Sequence, residues 1–214
     1  MLPLLNHSRN NHQRESRPIA TAWCVITGPP SAGKTSVIQA LAARGHRTAA
    51  ETARAHLMTL GKSPEEIAAD PAPRIDIQHA ILRRQLGVEG ALSPLSRVFL
   101  DRALPDSLAY FRRLKLPETE LIELSRRAST YRYRHVFYLQ GLPLERDGLR
   151  CEDDAEARAL GEQIYAAYAS LGYIPTRIPA FAELPPQQAI KRRLALLLAR
   201  LSPRRSDRHQ APAS

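Results

Sequence analysis

Five short apolar runs alternate along the chain with longer segments whose apolar residues recur every three or four positions. Short runs of this kind, bounded by glycine, charged or turn residues, are typical of buried strands. The predicted strands are residues 23–27, 47–51, 96–101, 135–140 and 173–178. Because helical segments separate them, the pattern predicts a mostly parallel five-stranded sheet covered by helices on both faces, a three-layer α/β/α fold.

The helical segments carry apolar stripes and recognisable ends. The first helix is predicted at residues 34–44. One of its faces carries Val37, Ile38 and Leu41, and Gly45 ends it. Further helices are predicted at residues 52–60, from Ser63 onward, and at 75–86, 106–114 and 118–130. Two more are marked by Leu160, Ile164, Tyr168 and Leu171, and by Ile190, Leu194, Leu197 and Leu201.

The size and composition of the chain fit one globular domain. Its 214 residues are 43% hydrophobic and 24% charged, values that are ordinary for a folded protein. We expect the domain to span residues 21–201, between disordered basic tails at 1–20 and 202–214. Cys24 and Cys151 are far apart and form no metal-binding spacing, which favours a reducing, cytoplasmic setting.

The net charge of +10 is concentrated near the end of the chain. Residues 190–208 hold one acid, Asp207, and seven bases: Lys191, Arg192, Arg193, Arg200, Arg204, Arg205 and Arg208. Such a patch suits an anionic membrane or a nucleic acid, and it equally suits a solvated helix face followed by a tail. No alternation of basic and aromatic residues supports a nucleic-acid partner.

A glycine-rich turn follows the first predicted strand. Residues 28–35, GPPSAGKT, match the pattern G-x-x-x-x-G-K-[ST] between a strand and a helix. In such a phosphate loop (P-loop), backbone N–H groups surround a phosphate, the lysine reaches its terminal oxygens and the hydroxyl binds Mg²⁺. The pattern predicts a P-loop nucleotide-binding domain that holds ATP or GTP with Mg²⁺. The expected nucleotide contacts are Gly28, Pro29, Pro30, Ser31, Ala32, Gly33, Lys34, Thr35 and Ser36.

Two acids are predicted beside this loop, because ligands of parallel sheets lie at the carboxyl ends of strands. Asp101 ends the run Val98–Leu100 and is the candidate to hold Mg²⁺ through water or to orient an attacking hydroxyl. A helix cap or a salt bridge to Arg102 is the structural alternative. Glu51 follows the second predicted strand, where it would face the acceptor or start a solvated helix. Asp106 favours a role at a helix N-terminus.

Arginines surround a charged connector at residues 141–154. Arg146, Arg150 and Arg158 are placed where a small lid would close over the γ-phosphate, stabilising its charge and excluding water. Scattered arginines on a surface loop are the competing interpretation. With the lid included, the candidate catalytic residues are Lys34, Glu51, Asp101 and Arg150.

Several segments together resemble the NadR-like P-loop ATPase family, which includes the ribosylnicotinamide kinase domain. They are ITGPPSAGKT (26–35), Glu51 in AETAR, His79 in IQHAILRRQ, FLDRALPDSLAY (99–110), YRYRHVFYL (131–139) and ERDGLRCEDDAEAR (145–158). The resemblance spans about residues 22–200. It implies a compact kinase-like fold in which Lys34 and Thr35 hold phosphate and Mg²⁺, Glu51 and Asp101 line the acceptor side and Arg150 belongs to the lid. Some members of the family resemble nucleoside kinases, and certain animal relatives bind GTP and anionic lipids.

Three functions are compatible with these patterns. The first is transfer of the γ-phosphate to a small acceptor, the second a nucleotide-dependent regulatory switch, and the third binding of a lipid or nucleic-acid surface by the basic patch. No asparagine follows Asn11, so the N-K-x-D motif that reads guanine in GTPases is missing from this chain. This favours the kinase over a Ras-like switch, without naming the acceptor.

Overall fold

The computed structural model of the chain describes residues 17–49, 72–141 and 151–201. The described strands are β1 (Ile19–Ala20), β2 (Cys24–Thr27), β3 (Thr48–Ala49), β4 (Phe99–Asp101), β5 (Tyr131–Arg132), β6 (His135–Leu139) and β7 (Thr176–Ile178). The described helices are α1 (Lys34–Ala42), α2 (Ala72–Ala91), α3 (Leu104–Arg113), α4 (Glu118–Ala128), α5 (Cys151–Ser170) and α6 (Pro186–Leu201). None of these helices is long and apolar enough to cross a membrane.

Five strands form the main sheet in the order β3-β4-β2-β6-β7, and every neighbouring pair is parallel. The predicted parallel five-stranded sheet is therefore confirmed. β2 lies at its centre, with Ile26 opposite Asp101 of β4 and Thr27 opposite Tyr138 of β6. The loop that follows β2 is consequently flanked by the ends of both neighbouring strands.

Helices cover both faces of the sheet, as predicted. Side chains alternate along β2, because successive residues of a strand point to opposite faces. Cys24 and Ile26 face a core cluster built with α1 and α6, whereas Val25 faces a second cluster to which Ala109 of α3 and Ile164 of α5 belong. Burial on both faces explains why the strand has a continuous apolar sequence.

A second, two-stranded sheet corrects the expected start of the fold. β1 pairs in parallel with β5, and Thr21 donates hydrogen bonds to the carbonyl of Arg132 through both its amide, at 2.9 Å, and its hydroxyl, at 3.1 Å. Residues 17–20 therefore do not belong to a disordered tail. Two residues are too few for an alternating pattern, and the exposed Ile19 gives no burial signal.

Several boundaries differ from the prediction. The third predicted strand shortens to Phe99–Asp101, and α2 begins earlier and ends later than residues 75–86. Of the second predicted strand, the structure describes Thr48–Ala49, and residues 50–51 lie outside the described residues. Sequence patterns mark the buried centre of an element better than its ends. The helices predicted at 52–60 and from Ser63, and most of the connector at 141–154, lie outside the described residues.

A buried carboxylate fixes the beginning of α3. Glu89 of α2 is fully buried, and its Oε1 accepts hydrogen bonds from the Leu104 amide and from Gln85 Nε2, both at 2.9 Å. Its Oε2 accepts one from the Tyr133 hydroxyl at 2.7 Å. Burial raises the Glu89 pKa to about 7, although these three hydrogen bonds lower it, and the charge of Asp106 adds to the increase. The carboxyl group therefore titrates near neutral pH.

This titration makes stability depend on pH. The folded protein holds the Glu89 proton more tightly than the unfolded chain, so its contribution is fully present below pH 4.5 and is lost as the pH rises through about 7. Glu89→Gln keeps a donor and an acceptor but does not titrate. We expect the stability of the wild type, relative to Glu89→Gln, to fall by up to about 3 kcal/mol across that window.

Urea unfolding of both proteins at a series of pH values measures this difference. Glu183→Gln, which alters an exposed carboxylate, is the control and should follow the wild type. A constant difference between wild type and Glu89→Gln from pH 4 to 8 would show that Glu89 does not titrate in this range.

Candidate phosphate-binding site

The turn after β2 can be made only with glycine at its first position. Gly28 adopts φ 140°, and a Cβ placed on it would collide with the backbone carbonyl oxygen of Leu139 on β6. An alanine there would have to push the two central strands apart. Gly28 therefore lets the loop leave the sheet directly between β2 and β6.

The loop then curls into the N-terminus of α1. Ser31 and Gly33 have φ values of 58° and 75°, and Gly33 is the N-cap of the helix. A left-handed conformation is unfavourable for serine, and such strain is found mainly where function requires it. Alternation of left- and right-handed residues turns successive N–H groups toward one point, which creates a site for an anion at the positive end of the helix.

Lys34 brings its charge into this concave loop. The side chain is buried, and its Nζ donates a hydrogen bond of 2.6 Å to the carbonyl of Pro29 within the loop itself. Pro29 and Pro30 carry no N–H, so the inward-facing amides belong to later loop residues. The arrangement places an ammonium group and backbone amides together, which suits a phosphate group.

Asp101 lies beside the loop because of the strand register. It ends β4 opposite Ile26, and its Oδ2 accepts a hydrogen bond of 3.2 Å from the hydroxyl of Thr35 on α1. The carboxylate is 2% exposed. The structure thus brings together Thr35 and Asp101, the two residues that the sequence analysis predicts as Mg²⁺ ligands.

This pair fits a magnesium ion held jointly with phosphate. Both side chains offer hard oxygen atoms, which Mg²⁺ prefers, and Mg²⁺ normally takes only one or two carboxylates from the protein and the remaining ligands from water and phosphate. Among the described residues there is no group of three or more His, Cys, Asp or Glu side chains that could hold a metal ion alone. The donor set therefore suits a nucleotide-bound Mg²⁺.

Asp106 is a buried acid beside the phosphate loop whose contacts the sequence did not reveal. It lies in the first turn of α3, and its Oδ2 accepts a hydrogen bond of 3.2 Å from the amide of Ala103. Its carboxylate also accepts hydrogen bonds from the Thr27 hydroxyl at 2.7 Å and the Tyr168 hydroxyl at 2.6 Å, and it pairs with Arg102 at 2.9 Å. One buried acid thereby connects β2, α3 and α5 next to the phosphate loop.

Arg102 is held over the start of the loop by this acid. The residue has φ 70°, and its Nη1 donates to the carbonyl of Gly28 at 3.3 Å as well as to Asp106. The strained backbone and the ion pair together direct a second cation toward the loop. A sequence signal existed in the D-R-x-x-P-D spacing, which sets the arginine four residues before an acid in the first turn of a helix.

Arg193 corrects the expectation of a surface patch formed by seven cations. Lys191 and Arg192 are exposed on α6, but Arg193 is 2% exposed and lies against the phosphate loop. Helical periodicity explains the difference, because Arg193 adjoins Leu194 and Leu197 on the buried face of α6. Arg204, Arg205 and Arg208 lie outside the described residues.

The remaining candidate residues are only partly described. Glu51, Arg146 and Arg150 lie outside the described residues, and Arg158 lies exposed on α5. Their assignment to the acceptor side and to a lid therefore remains a prediction. Ser36 is partly buried in the first turn of α1, close in sequence to the loop.

A separate groove of about 340 Å³ lies between α2, α3 and α4. His79 borders it, stacks edge-on against Phe111 at 5.1 Å and contacts Glu120 at 3.2 Å. None of the phosphate-loop residues lines the groove. His79 therefore packs against Phe111 and contacts Glu120 in a groove that the phosphate-loop residues do not line.

Solved structures support the assignment of the fold. NadR protein in complex with NR matches with a TM-score of 0.54 and 15% identity over 78% of this chain and 44% of the other. Deoxyadenosine kinase from M. mycoides matches with a TM-score of 0.58 and 16% identity, over 84% of this chain and 98% of the kinase. Thymidylate kinase from Ehrlichia chaffeensis matches with a TM-score of 0.56 and 14% identity, over 86% of this chain and 100% of the kinase. The chain therefore spans less than half of that NadR chain but nearly all of the two kinases.

A search of curated proteins found no match. A family profile described as AAA domain, AAA_28, matches residues 23–182, which include the phosphate loop, Asp101 and most of α5. The resemblance to NadR-like P-loop proteins that the motifs indicated is confirmed by this match together with the NadR fold. The chain belongs to the AAA_28 family of AAA domains and has the fold of P-loop kinases.

Proposed function

We propose that this protein is a kinase that transfers the γ-phosphate of a Mg²⁺-bound nucleoside triphosphate to a hydroxyl group of a small, nucleoside-like acceptor. The observation that carries the proposal is the contact between the Thr35 hydroxyl and the Asp101 carboxylate at the mouth of the glycine-rich loop. It joins a phosphate cradle to a carboxylate in one place, and both are required in phosphoryl transfer.

Each described residue has a task that its position explains. The loop amides and Lys34 bind the phosphates and neutralise charge that develops during transfer. Thr35 and Asp101 would hold Mg²⁺, which would supply positive charge against the repulsion among the phosphates, and Asp101 alternatively orients the attacking hydroxyl. Arg102, fixed by Asp106, adds positive charge at the start of the loop.

The acceptor class rests on the proteins that share the fold. Those structures are of a deoxyadenosine kinase, a thymidylate kinase and NadR with NR, and one deoxyadenosine kinase structure contains dATP. Two of these proteins are named as kinases of a nucleoside or a nucleotide, which supports a nucleoside-like acceptor for this chain. Glu51 on the acceptor side and Arg146, Arg150 and Arg158 in a lid complete the proposed site.

The deciding experiment is a phosphotransfer assay with γ-labelled ATP or GTP and a panel of ribonucleosides, deoxynucleosides, ribosylnicotinamide and nucleoside monophosphates. We expect little hydrolysis without an acceptor, and labelled product with one acceptor class. Rapid hydrolysis that needs no acceptor would instead support the regulatory nucleotide-dependent switch. The absence of Mg²⁺-dependent binding of either triphosphate would overturn both.

Removal of the loop cation tests the phosphate site. We expect Lys34→Ala to lower the phosphotransfer rate by at least about 100-fold, because it deletes a charge that acts on the developing phosphate charge. The rate is measured at saturating acceptor. Lys191→Ala removes an exposed lysine of α6 and should leave the rate unchanged. Equal rates in the two variants would exclude Lys34 from the reaction.

Replacement of the buried acid tests the metal site separately. We expect Asp101→Asn to lose most of the gain in ATP affinity that Mg²⁺ gives to the wild type, because a neutral amide is a much weaker ligand for this cation. Calorimetric titrations of ATP with Mg²⁺ and with EDTA measure that gain. Asp76→Asn, at an exposed position on α2, is the matched control. A normal Mg²⁺ effect in Asp101→Asn would assign the metal to other ligands.

A further inference from the structure

The last helix sends one arginine into the interior, behind the phosphate loop. Arg193 is 2% exposed, although its neighbours Lys191 and Arg192 are exposed. The helix is held there by Leu194 and Leu197, which belong to the same core cluster as Val37 of α1. The position of Arg193 is therefore set by well-packed elements on both sides.

The guanidinium group of Arg193 binds three backbone carbonyls from three parts of the chain. Its Nη1 donates to Ala32 in the phosphate loop at 2.6 Å, and its Nη2 donates to Gln140, directly after β6, at 3.2 Å. Its Nε donates to Pro179, directly after β7, at 3.0 Å. Only arginine offers this planar fork of donors, since lysine has a single ammonium group.

The contact with Ala32 determines which way a loop amide points. In a planar trans peptide the carbonyl and the following N–H point in opposite directions. Arg193 binds the Ala32 carbonyl from behind, so the Gly33 N–H is directed to the opposite side. Gly33 also suits the contact, because a Cβ at this residue would lie only 3.1 Å from Arg193 Nη1.

The same group places a buried positive charge behind the loop. Among the described residues, the hydrogen-bond partners of Arg193 are the three neutral carbonyls, and it forms no ion pair. Burial lowers its pKa from the usual arginine value. A buried charge without a counter-ion is unfavourable, and an anion bound on the other side of the loop reduces that cost.

We propose that Arg193 is a positioning residue of the triphosphate site, which turns the Gly33 amide toward the phosphates and stabilises their charge from behind the loop. The inference rests on the proposed function, because it assumes that the loop binds a triphosphate. It also links the loop to the chain segments that follow β6 and β7.

Nucleotide affinity tests the proposal by means of Arg193→Met, which keeps the buried aliphatic stem but removes charge and donors. We expect its Kd for MgATP and for Mg²⁺-tripolyphosphate to rise at least tenfold, and Arg193→Lys to recover part of the loss. Arg192→Met, the exposed neighbour, should bind like the wild type. The titrations are run far below each variant's Tm. Their stoichiometry gives the fraction of protein that is folded, so that a change in Kd can be distinguished from a loss of folded protein.

A spectroscopic readout follows the peptide itself. Ala32–Gly33 is the single Ala-Gly pair in the sequence, so labelling with carbonyl-¹³C alanine and ¹⁵N glycine gives one NMR correlation for this peptide. In the wild type, MgATP should shift the Gly33 amide. In Arg193→Met the Ala32 carbonyl signal should move without nucleotide, because its hydrogen bond is lost, and the amide response to MgATP should shrink.

The outcomes are distinguishable. If the wild type binds neither MgATP, MgGTP nor Mg²⁺-tripolyphosphate, the proposed function fails and this inference fails with it. If the wild type binds and folded Arg193→Met binds equally well with an unchanged amide response, Arg193 is merely structural and the proposed function stands. Should Arg193→Met not fold, wild-type affinity in Arg193→Lys overturns the inference, because the donors of an ammonium group all lie on one nitrogen and cannot reproduce the planar fork that reaches the three carbonyls.

Discussion

The carboxylate of Asp106 accepts hydrogen bonds from Thr27, Tyr168 and the amide of Ala103, and it pairs with Arg102. Removing one partner from such a network leaves other buried polar groups unsatisfied, so its members are held in one arrangement. Thr27 is the last residue before the glycine-rich loop, and Arg102 follows Asp101. The orientation of both halves of the candidate site therefore depends on this single acid.

Positive charge surrounds the loop from three directions, and each cation is placed by a different part of the chain. Lys34 belongs to the loop, Arg102 follows the neighbouring strand, and Arg193 comes from the final helix. All three have backbone carbonyls of the loop as hydrogen-bond acceptors: Pro29, Gly28 and Ala32. The three cations thus hold the loop backbone in its conformation, and their charges also attract an anion to it.

The strands of the parallel sheet, the layers and the phosphate loop could be inferred from the sequence because each has a local signal. Continuous apolar runs identify doubly buried strands, and the loop pattern depends on the conformational freedom of Gly28 and Gly33. Asp101 was identifiable because it ends such a run. These features need no knowledge of how distant segments meet.

The supporting residues could not be inferred because their roles arise from distant contacts. Glu89 lies on a helix, where it resembles a solvated acid, and only the contacts with Tyr133 and Leu104 show that it is a buried cap. Arg193 stands in a basic run whose other described members, Lys191, Arg192 and Arg200, are exposed on α6. β1 is too short to leave a pattern. A polar residue inside a protein is recognisable from its partners, and a sequence does not reveal them.

The central position of β2 has a consequence for the order in which the protein can assemble. The segments before and after this strand are tied to residues far along the chain, since Thr21 is hydrogen-bonded to Arg132 across 111 positions and Ala32 to Arg193 across 161. Contacts of such long separation are slow to form, because a large loop must close before they contribute. During synthesis on a ribosome, the glycine-rich turn emerges early but acquires its last support only after α6 has been made.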